Sequence, residues 1–394
     1  MGLRLVEVHF AGNQQVLEDS GSHRAYTAPH WKDNSGDGTA SHLGDRSFPV
    51  AYRRGERPRV KAIFDLGTSA TPAAFLVRGT NLPAQALVTK GARATYTECE
   101  ATVELTDKVT LLDFAIKWEA SADGGATWSP VITSHHRVYV TLGPSARSWS
   151  LGGTSRDNPR ATRLYETALD IGCRYATGHD GESAVVAAIW AQFCDLDVRR
   201  KPIDGYNVPD GVQMGYWMND AKKVPQSCEA MLNDPSGDGS CRAWAQLFQH
   251  ILFAQGISTP QICVINSPHA FLVRHWKFVE SLPPIDPNHL YSVDGTVTNG
   301  NRLPAQNNAD SSRSFVNHFI VFYNGEYYDP SYGAGPFANP LLHENAASAG
   351  ACPGKRTANE KDRRLHIQDL TYTNQGLGNA GRNLPHHVRA FVGK

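Results

Sequence analysis

The sequence predicts two folded regions, an all-β sandwich over residues 1–150 and an α+β domain over 151–340, followed by a loop-rich tail over 341–394. Three observations carry that prediction. Short apolar runs separated by Gly, Pro, Asn and Asp clusters fill the first 150 residues, with no convincing helix among them. Helical spacing begins only after the stretch LGGTSRDNPR. Strand-like runs then return beyond the helices, the order expected of an α+β domain. A chain of 394 residues, at roughly 150 per domain, fits two or three such regions.

In the first region LRLVEVHF alternates apolar and polar residues, and RVKAIFDLG, AAFLVRG, ARATYTECEATVEL, DFAIKWEAS and RVYVTLG follow it. Strands at this spacing form an antiparallel sandwich of the immunoglobulin-like kind, suited to recognition or docking. In SADGGATWSPV, Asp123 and Gly124 supply turn residues for a hairpin. Residues 30–48 are polar and glycine-rich, hence a long loop. In the second region ATRLYETALDIGCRYA and ESAVVAAIWAQFC have helical periodicity. A strand-like GVQMGYWM and a short helix at SCEAMLN come next. PQICVIN, HAFLVRHWKFV, HLYSVDG, NHFIVFY and EYYDPSY read as strands. The composition of the tail, rich in Asn, Gly, Ala and charge, predicts loops.

Thirty-eight basic and 38 acidic residues cancel, so no net field favours nucleic acid or an anionic membrane as partner. The seven cysteines (Cys99, Cys173, Cys194, Cys228, Cys241, Cys263 and Cys352) include no CxxC pair and are odd in number, unlike a disulfide framework or a zinc site. His135–His136 and His386–His387 lack a third spaced ligand and read as surface histidines. The SGDG stretch lacks the alternating acidic ligands of a calcium loop. No metal and no cofactor is expected. The N-terminal MGLRLVEVHFAG has no apolar signal core, and no run approaches the ~20 apolar residues of a spanning helix. A cytoplasmic protein is expected; a bacterial effector or toxin exported without a cleaved signal peptide has the same look.

The stretch SGDGSCRAWAQLFQHILFAQGI, residues 236–257, sets a cysteine between a glycine-rich turn and a helix. Trp244, Leu247, Phe248, Ile251 and Leu252 make one apolar stripe, Gly256 is a C-terminal stop, and Ser240 or Asp238 is a candidate cap. Cys241 then lies in the first turn. There the helix dipole and free N–H groups favour a thiolate and bind an oxyanion. Glycines leave the backbone uncrowded where a substrate approaches.

A nucleophilic thiol needs a base with an orienting partner. In VNHFIVFYNGEYYDPSYG, residues 316–333, Asn324–Gly325 is a two-residue hairpin turn. Its register sets His318 opposite Ser331 and Asp329 opposite Ile320. His318 and Asp329 then share a sheet face as diagonal neighbours, with Cβ atoms roughly 7 Å apart. The carboxylate would fix the ring tautomer and stabilise the imidazolium. Asp294 in SVDGT is an alternative third residue, although Asp-Gly more often makes a turn.

These two stretches resemble the motifs of the transglutaminase-like cysteine enzyme superfamily, whose papain-like triad runs Cys, His, Asp along the chain. The resemblance covers residues 210–335. It implies a transglutaminase/papain-like fold with Cys241 as nucleophile, His318 as base and Asp329 as orienter. The family's His motif often continues with a small residue and then Trp, where this chain has Phe319 and Ile320. The resemblance also implies an oxyanion hole made by the Cys241 N–H and an upstream Trp or Gln. Gln213, Trp217 and Gln226 are candidates, and Trp217, whose indole only donates, is preferred. The expected activity is that of a hydrolase on a protein or peptide amide, a thiol protease or glutamine deamidase working through an acyl-enzyme. The rival readings are amine crosslinking, acyl-CoA-dependent arylamine transfer by an acyltransferase, and an inert interaction protein. The intact triad argues against the last of these.

Overall fold

The computed structural model describes residues 2–19, 21, 23–33, 46–67, 75–145, 164–201, 211–218, 224–273, 303–311, 314–339, 343, 348–351 and 371–375. These residues are mainly strand, with four helices among them. Contacts divide the chain into two compact units. The first comprises Met1–Ser145, Leu164–Val185 and Ala254–Gly256; the second comprises Ala146–Arg163, Val186–Phe253 and Ile257–Lys394. Among the described residues no helix is long and apolar enough to cross a membrane.

The first unit holds β1 (Arg4–Ala11), β2 (Val16–Leu17), β3 (Trp31–Lys32), β4 (Arg46–Ser47), β5 (Val50–Arg53), β6 (Arg59–Asp65), β7 (Leu76–Arg78), β8 (Gln85–Ala86), β9 (Val88–Lys90), β10 (Arg93–Glu100), β11 (Thr110–Ser121), β12 (Ser129–Thr141), β13 (Leu164–Tyr165) and α1 (Glu166–Tyr175). One sheet runs β4-β3-β1-β6-β10-β9 and another β5-β12-β11-β7-β8. Period-two burial along β6 turns Val60, Ala62 and Phe64 inward, and these join Ile116, Trp118, Val138 and Val140 of the other sheet in one core. Trp118 stands edge-on to Phe64 and Tyr96, with centroids 5.6 and 5.5 Å away, a favoured aromatic geometry.

The expected hairpin joins β11 to β12, but its connection is longer than two residues. Gly124 and Gly125 both have positive φ, and Asp123 closes the loop by accepting from the Ser121 and Thr127 hydroxyls, each at 2.6 Å. Not every pairing is antiparallel, as the alternating strands suggested: β5 runs parallel to β12, and β2 to β13. Residues 30–48 are not loop throughout, since β3 and β4 lie at either end of that stretch.

The helix read at ATRLYETALDIGCRYA falls in the first unit rather than in a domain beginning at 151. It packs on β11 and β12, and its missing local cap explains the tie. Tyr165 offers no capping side chain, so the Asp19 carboxylate accepts from the Thr167 N–H (3.0 Å) and hydroxyl (2.7 Å) instead.

The second unit holds most of α2 (Glu182–Cys194), with α3 (Cys228–Asn233), α4 (Cys241–Ala254), β14 (Gln261–Val273), β15 (Leu303–Ala305), β16 (Asn308–Ser311), β17 (Ser314–Tyr323), β18 (Glu326–Asp329), β19 (Ala334–Phe337), β20 (Ser348–Ala351) and β21 (Thr371–Gln375). An antiparallel sheet runs β19-β18-β17-β14-β20, with β21 also paired to β14. The region from 341 onward is therefore not all loop. Its two strands satisfy the second edge of β14, β21 along Ile262–Asn266 and β20 along Phe271–Val273.

GVQMGYWM makes no strand, only isolated bridges from Gln213 to Arg199 and from Tyr216 to Gly239. The strand read at HAFLVRHWKFV begins inside β14, and HLYSVDG lies outside the described residues. Around α4, burial extends beyond the predicted stripe to every residue from Ala243 to Ala254. Its polar groups are answered: Gln246 accepts from the Cys228 N–H (2.9 Å), and Gln249 donates to the Pro260 carbonyl (2.9 Å). Trp190 and Phe193 of α2, Phe248 of α4 and Tyr328 of β18 form an aromatic cluster that joins the helices to the hairpin strand.

Candidate active site

The turn before α4 uses its glycines for different reasons. Gly237 has φ +62°, a left-handed conformation that favours glycine. At Gly239 a Cβ would lie 2.3 Å from the Met231 sulfur and 3.0 Å from the Ala243 Cβ. Residues 215–218 run beside this turn. Gly215 N–H donates to Gly237 O (3.2 Å), Gly239 N–H to Gly215 O (3.0 Å) and Trp217 N–H to Gly239 O (3.2 Å). Asp238 accepts from the Met218 N–H at 2.9 Å.

That last bond explains a departure at the helix start. The Asp238 carboxylate is committed to the neighbouring segment, and Ser240 serves α4 through its carbonyl, which accepts from the Trp244 N–H at 3.0 Å. The buried Ser240 hydroxyl makes no hydrogen bond. The C-terminal stop follows the expected pattern. Gly256 has φ +86°, and Ile257 N–H returns to Leu252 O at 3.0 Å, a Schellman closure.

The β17–β18 hairpin turns at Asn324 and Gly325, with φ of 48° and 85°. Val321 lies opposite Tyr328, Phe322 opposite Tyr327 and Tyr323 opposite Glu326. This is the register that puts His318 and Asp329 on one face. Their side chains meet, with His318 Nε2 2.6 Å from Asp329 Oδ2. Asp329 Oδ1 accepts from the Ser331 N–H at 3.1 Å, so both carboxylate oxygens are engaged. With Nε2 taken, Nδ1 is the ring atom left for Cys241, which lies within electrostatic reach of the imidazole.

Cys241 is 5% exposed, and His318 and Asp329 are fully buried. Burial is the largest single influence on His318 and pulls its pKa down. The charge and hydrogen bond of Asp329, with the nearby Cys241, overcome it and raise the ring to about 10. The ring therefore holds its proton at neutral pH. The set can store a proton beside the sulfur and keep both dry.

Trp217 sits next to the nucleophile turn through the backbone ladder, is half-buried and has φ of 53°. Gln213 and Gln226 are engaged elsewhere: Gln213 donates to Asp197, and Gln226 to the Val224 carbonyl at 3.0 Å. The sequence reading missed Tyr216, Tyr332, Gln306 and His343. The Tyr332 ring lies 5.8 Å from His318 and 5.2 Å from Tyr216. Gln306 accepts the Tyr216 N–H on its carbonyl and donates to the Phe193 and Pro330 carbonyls, locking this wall to the strand end that bears Asp329. His343 is buried within electrostatic reach of His318, and burial first, then the His318 charge, pushes its pKa well below the usual imidazole value. The two tyrosines flank motifs that were already in view; nothing in NPLLHENAA marks His343.

Other sequence candidates separate. The His135–His136 pair is not wholly on the surface, because successive strand residues face opposite ways. His135 meets Asp113 at 3.1 Å, whereas His136 is buried against Ser134. Cys173, Cys228 and Cys263 are buried, and Cys99 and Cys194 half-buried. Asp294, Cys352 and His386–His387 lie outside the described residues. Among the described residues no three His, Cys, Asp or Glu side chains cluster as a metal site would require. The chain matches no protein-family model and no curated protein.

Proposed function

We propose that this chain is a thiol-dependent amide-bond enzyme of the transglutaminase-like kind, acting as a hydrolase on a protein or peptide substrate. The observation that carries the reading is the buried 2.6 Å contact between His318 and Asp329, with Cys241 at the start of α4 within electrostatic reach of the ring. Cys241 attacks the amide carbonyl as the thiolate, and His318 gives its proton to the departing amine or ammonia. Water then enters, His318 takes a proton from it, and the acyl-enzyme is hydrolysed. Asp329 keeps the imidazolium oriented throughout. The paired sheets of the first unit are read as an immunoglobulin-like recognition module and the second unit as the transglutaminase/papain-like catalytic part. No observation favours crosslinking over hydrolysis.

The test is a thiol-directed acyl probe with mapping of the labelled residue. Labelling should fall on Cys241, vanish in C241A and drop at least ~100-fold in H318A. Label spread over several cysteines and indifferent to H318A would sink the proposal. Screening amide substrates for ammonia or for new amine termini then separates deamidation from peptide cleavage.

A further inference from the structure

We infer that the phenol of Tyr216, not the indole of Trp217, is the side-chain donor that stabilises the oxyanion formed at Cys241. The inference rests on the thiol-enzyme reading above. Four observations lead to it. Tyr216 is bridged to Gly239, two residues before the nucleophile, and Gln306 holds its N–H at 2.8 Å, so its backbone is fixed on both sides. Its ring packs 5.2 Å from Tyr332, whose ring in turn lies 5.8 Å from His318, so the side chain runs toward the triad. Its hydroxyl is buried beside that of Tyr332, which is near enough to attract its proton, but the two make no hydrogen bond of good geometry. A buried donor so poorly satisfied is costly unless a ligand completes it.

The fourth observation is electrostatic. Burial, then the nearby charges of Tyr332, Cys241 and Asp329, hold Tyr216 well above the ordinary phenol pKa. The group is therefore a neutral O–H donor at any working pH. It also feels the charge of Cys241, the sulfur beside which the oxyanion would arise.

In the step itself, the Cys241 sulfur forms a bond to the carbonyl carbon. The C=O π electrons move onto oxygen, which takes hydrogen bonds from the Tyr216 O–H and the Cys241 N–H. When they return, the C–N bond breaks and the amine leaves with the proton that His318 carried. No proton leaves Tyr216. Trp217 suits the role less well, being half-buried with its ring edge-on to Tyr216 at 6.0 Å.

The experiment compares two reagents on wild type, Y216F and W217F. An acyl probe passes through an oxyanion, whereas iodoacetamide alkylates sulfur at a saturated carbon and does not. Y216F keeps the ring contacts and should slow acylation of Cys241 by about 10²–10³-fold. Its alkylation rate should stay within about threefold of wild type, as should both rates in W217F. Equal losses with both reagents in Y216F, no loss at all, or an acylation-specific loss in W217F would each overturn the assignment. Wild type that neither reagent labels at Cys241 would remove the thiol-enzyme reading itself, a distinct failure. If Y216F does not fold, ring-fluorinated tyrosine at position 216 should change acylation in step with phenol acidity and leave alkylation alone; no such trend would count equally against the idea.

Discussion

His30 and His136 in the first unit and His318 in the second are all buried, yet they hold their protons in opposite ways. His30 accepts the Phe10 N–H on Nδ1 and meets Asn13 through Nε2, each at 3.1 Å. Burial, then the charge of His9, lowers it to about 4. His136 meets the Ser134 hydroxyl at 2.8 Å, and burial, then His135 and His30, lowers it to about 3. Burial presses on His318 in the same direction, but Asp329 and Cys241 raise it to about 10. Burial is thus common to all three, and the partner decides the sign. Neutral partners give the sandwich core polar contacts without charge, while a carboxylate turns an imidazole into a stored proton.

The pH consequences are opposite. For His30 and His136 the folded pKa lies below the unfolded value of 6.5. The unfolded chain therefore binds protons first, and their contribution is present above 6.5 and lost as pH falls toward 4 and 3. For His318 the contribution is present below 6.5 and lost as pH rises through about 10. Asp329→Asn should remove the contrast. The amide keeps the shape but not the charge, so His318 joins the neutral class. Denaturant unfolding at pH 6 should show a loss of about 3–5 kcal/mol against wild type. That gap should close as pH approaches 10. Turnover should fall about 10²–10⁴-fold, and the alkaline limb of the pH–rate profile, expected near 10 in wild type, should move down. A stability gap that stays constant from pH 6 to 10 would mean that His318 carries no charge in the fold.

The meeting of His318 with Asp329 and the place of Cys241 at the start of α4 were legible in the sequence because each part has a local signature. The Gly-rich turn, the thiol and the apolar stripe mark one end of α4, and Asn324–Gly325 sets a register that needs no tertiary information. The environment was not legible. Tyr216, Tyr332 and His343 come from three separate stretches, and only the fold brings them near His318. GVQMGYWM has strand composition but uses its N–H and C=O groups on turns and bridges. Strands β20 and β21 were hidden because their composition is that of loops, and pairing to β14 rather than propensity makes them strands. His136 was misplaced because adjacent histidines on a strand cannot share an environment.

A second test sharpens the contrast from the first unit. His136→Leu removes the group that must be deprotonated in the fold, while the Ser134 hydroxyl still accepts the Trp118 indole N–H at 3.0 Å. Wild type should lose stability on going from pH 7 to 4.5, and the variant should lose about 2 kcal/mol less over that interval. Paired denaturant titrations at the two pH values measure this directly. Identical acid losses in the two proteins would show that His136 is not held neutral against solvent.

The smallest expected effect tests the register that lets the carboxylate reach His318. Gly325 has φ +85° and open space around a Cβ, so Gly325→Ala meets backbone strain but no clash. The cost should be roughly 1 kcal/mol in denaturant unfolding. If the turn keeps its register under that strain, Asp329 stays on the His318 face and the alkaline limb remains near 10. A one-residue slip would instead carry Asp329 to the other face. It would abolish acylation of Cys241, a loss far out of proportion to the stability change. A limb still near 10 with about 1 kcal/mol lost means that the turn contributes stability while strand pairing beyond it sets the register. A disproportionate loss of acylation means that these two turn residues alone hold the proton store together.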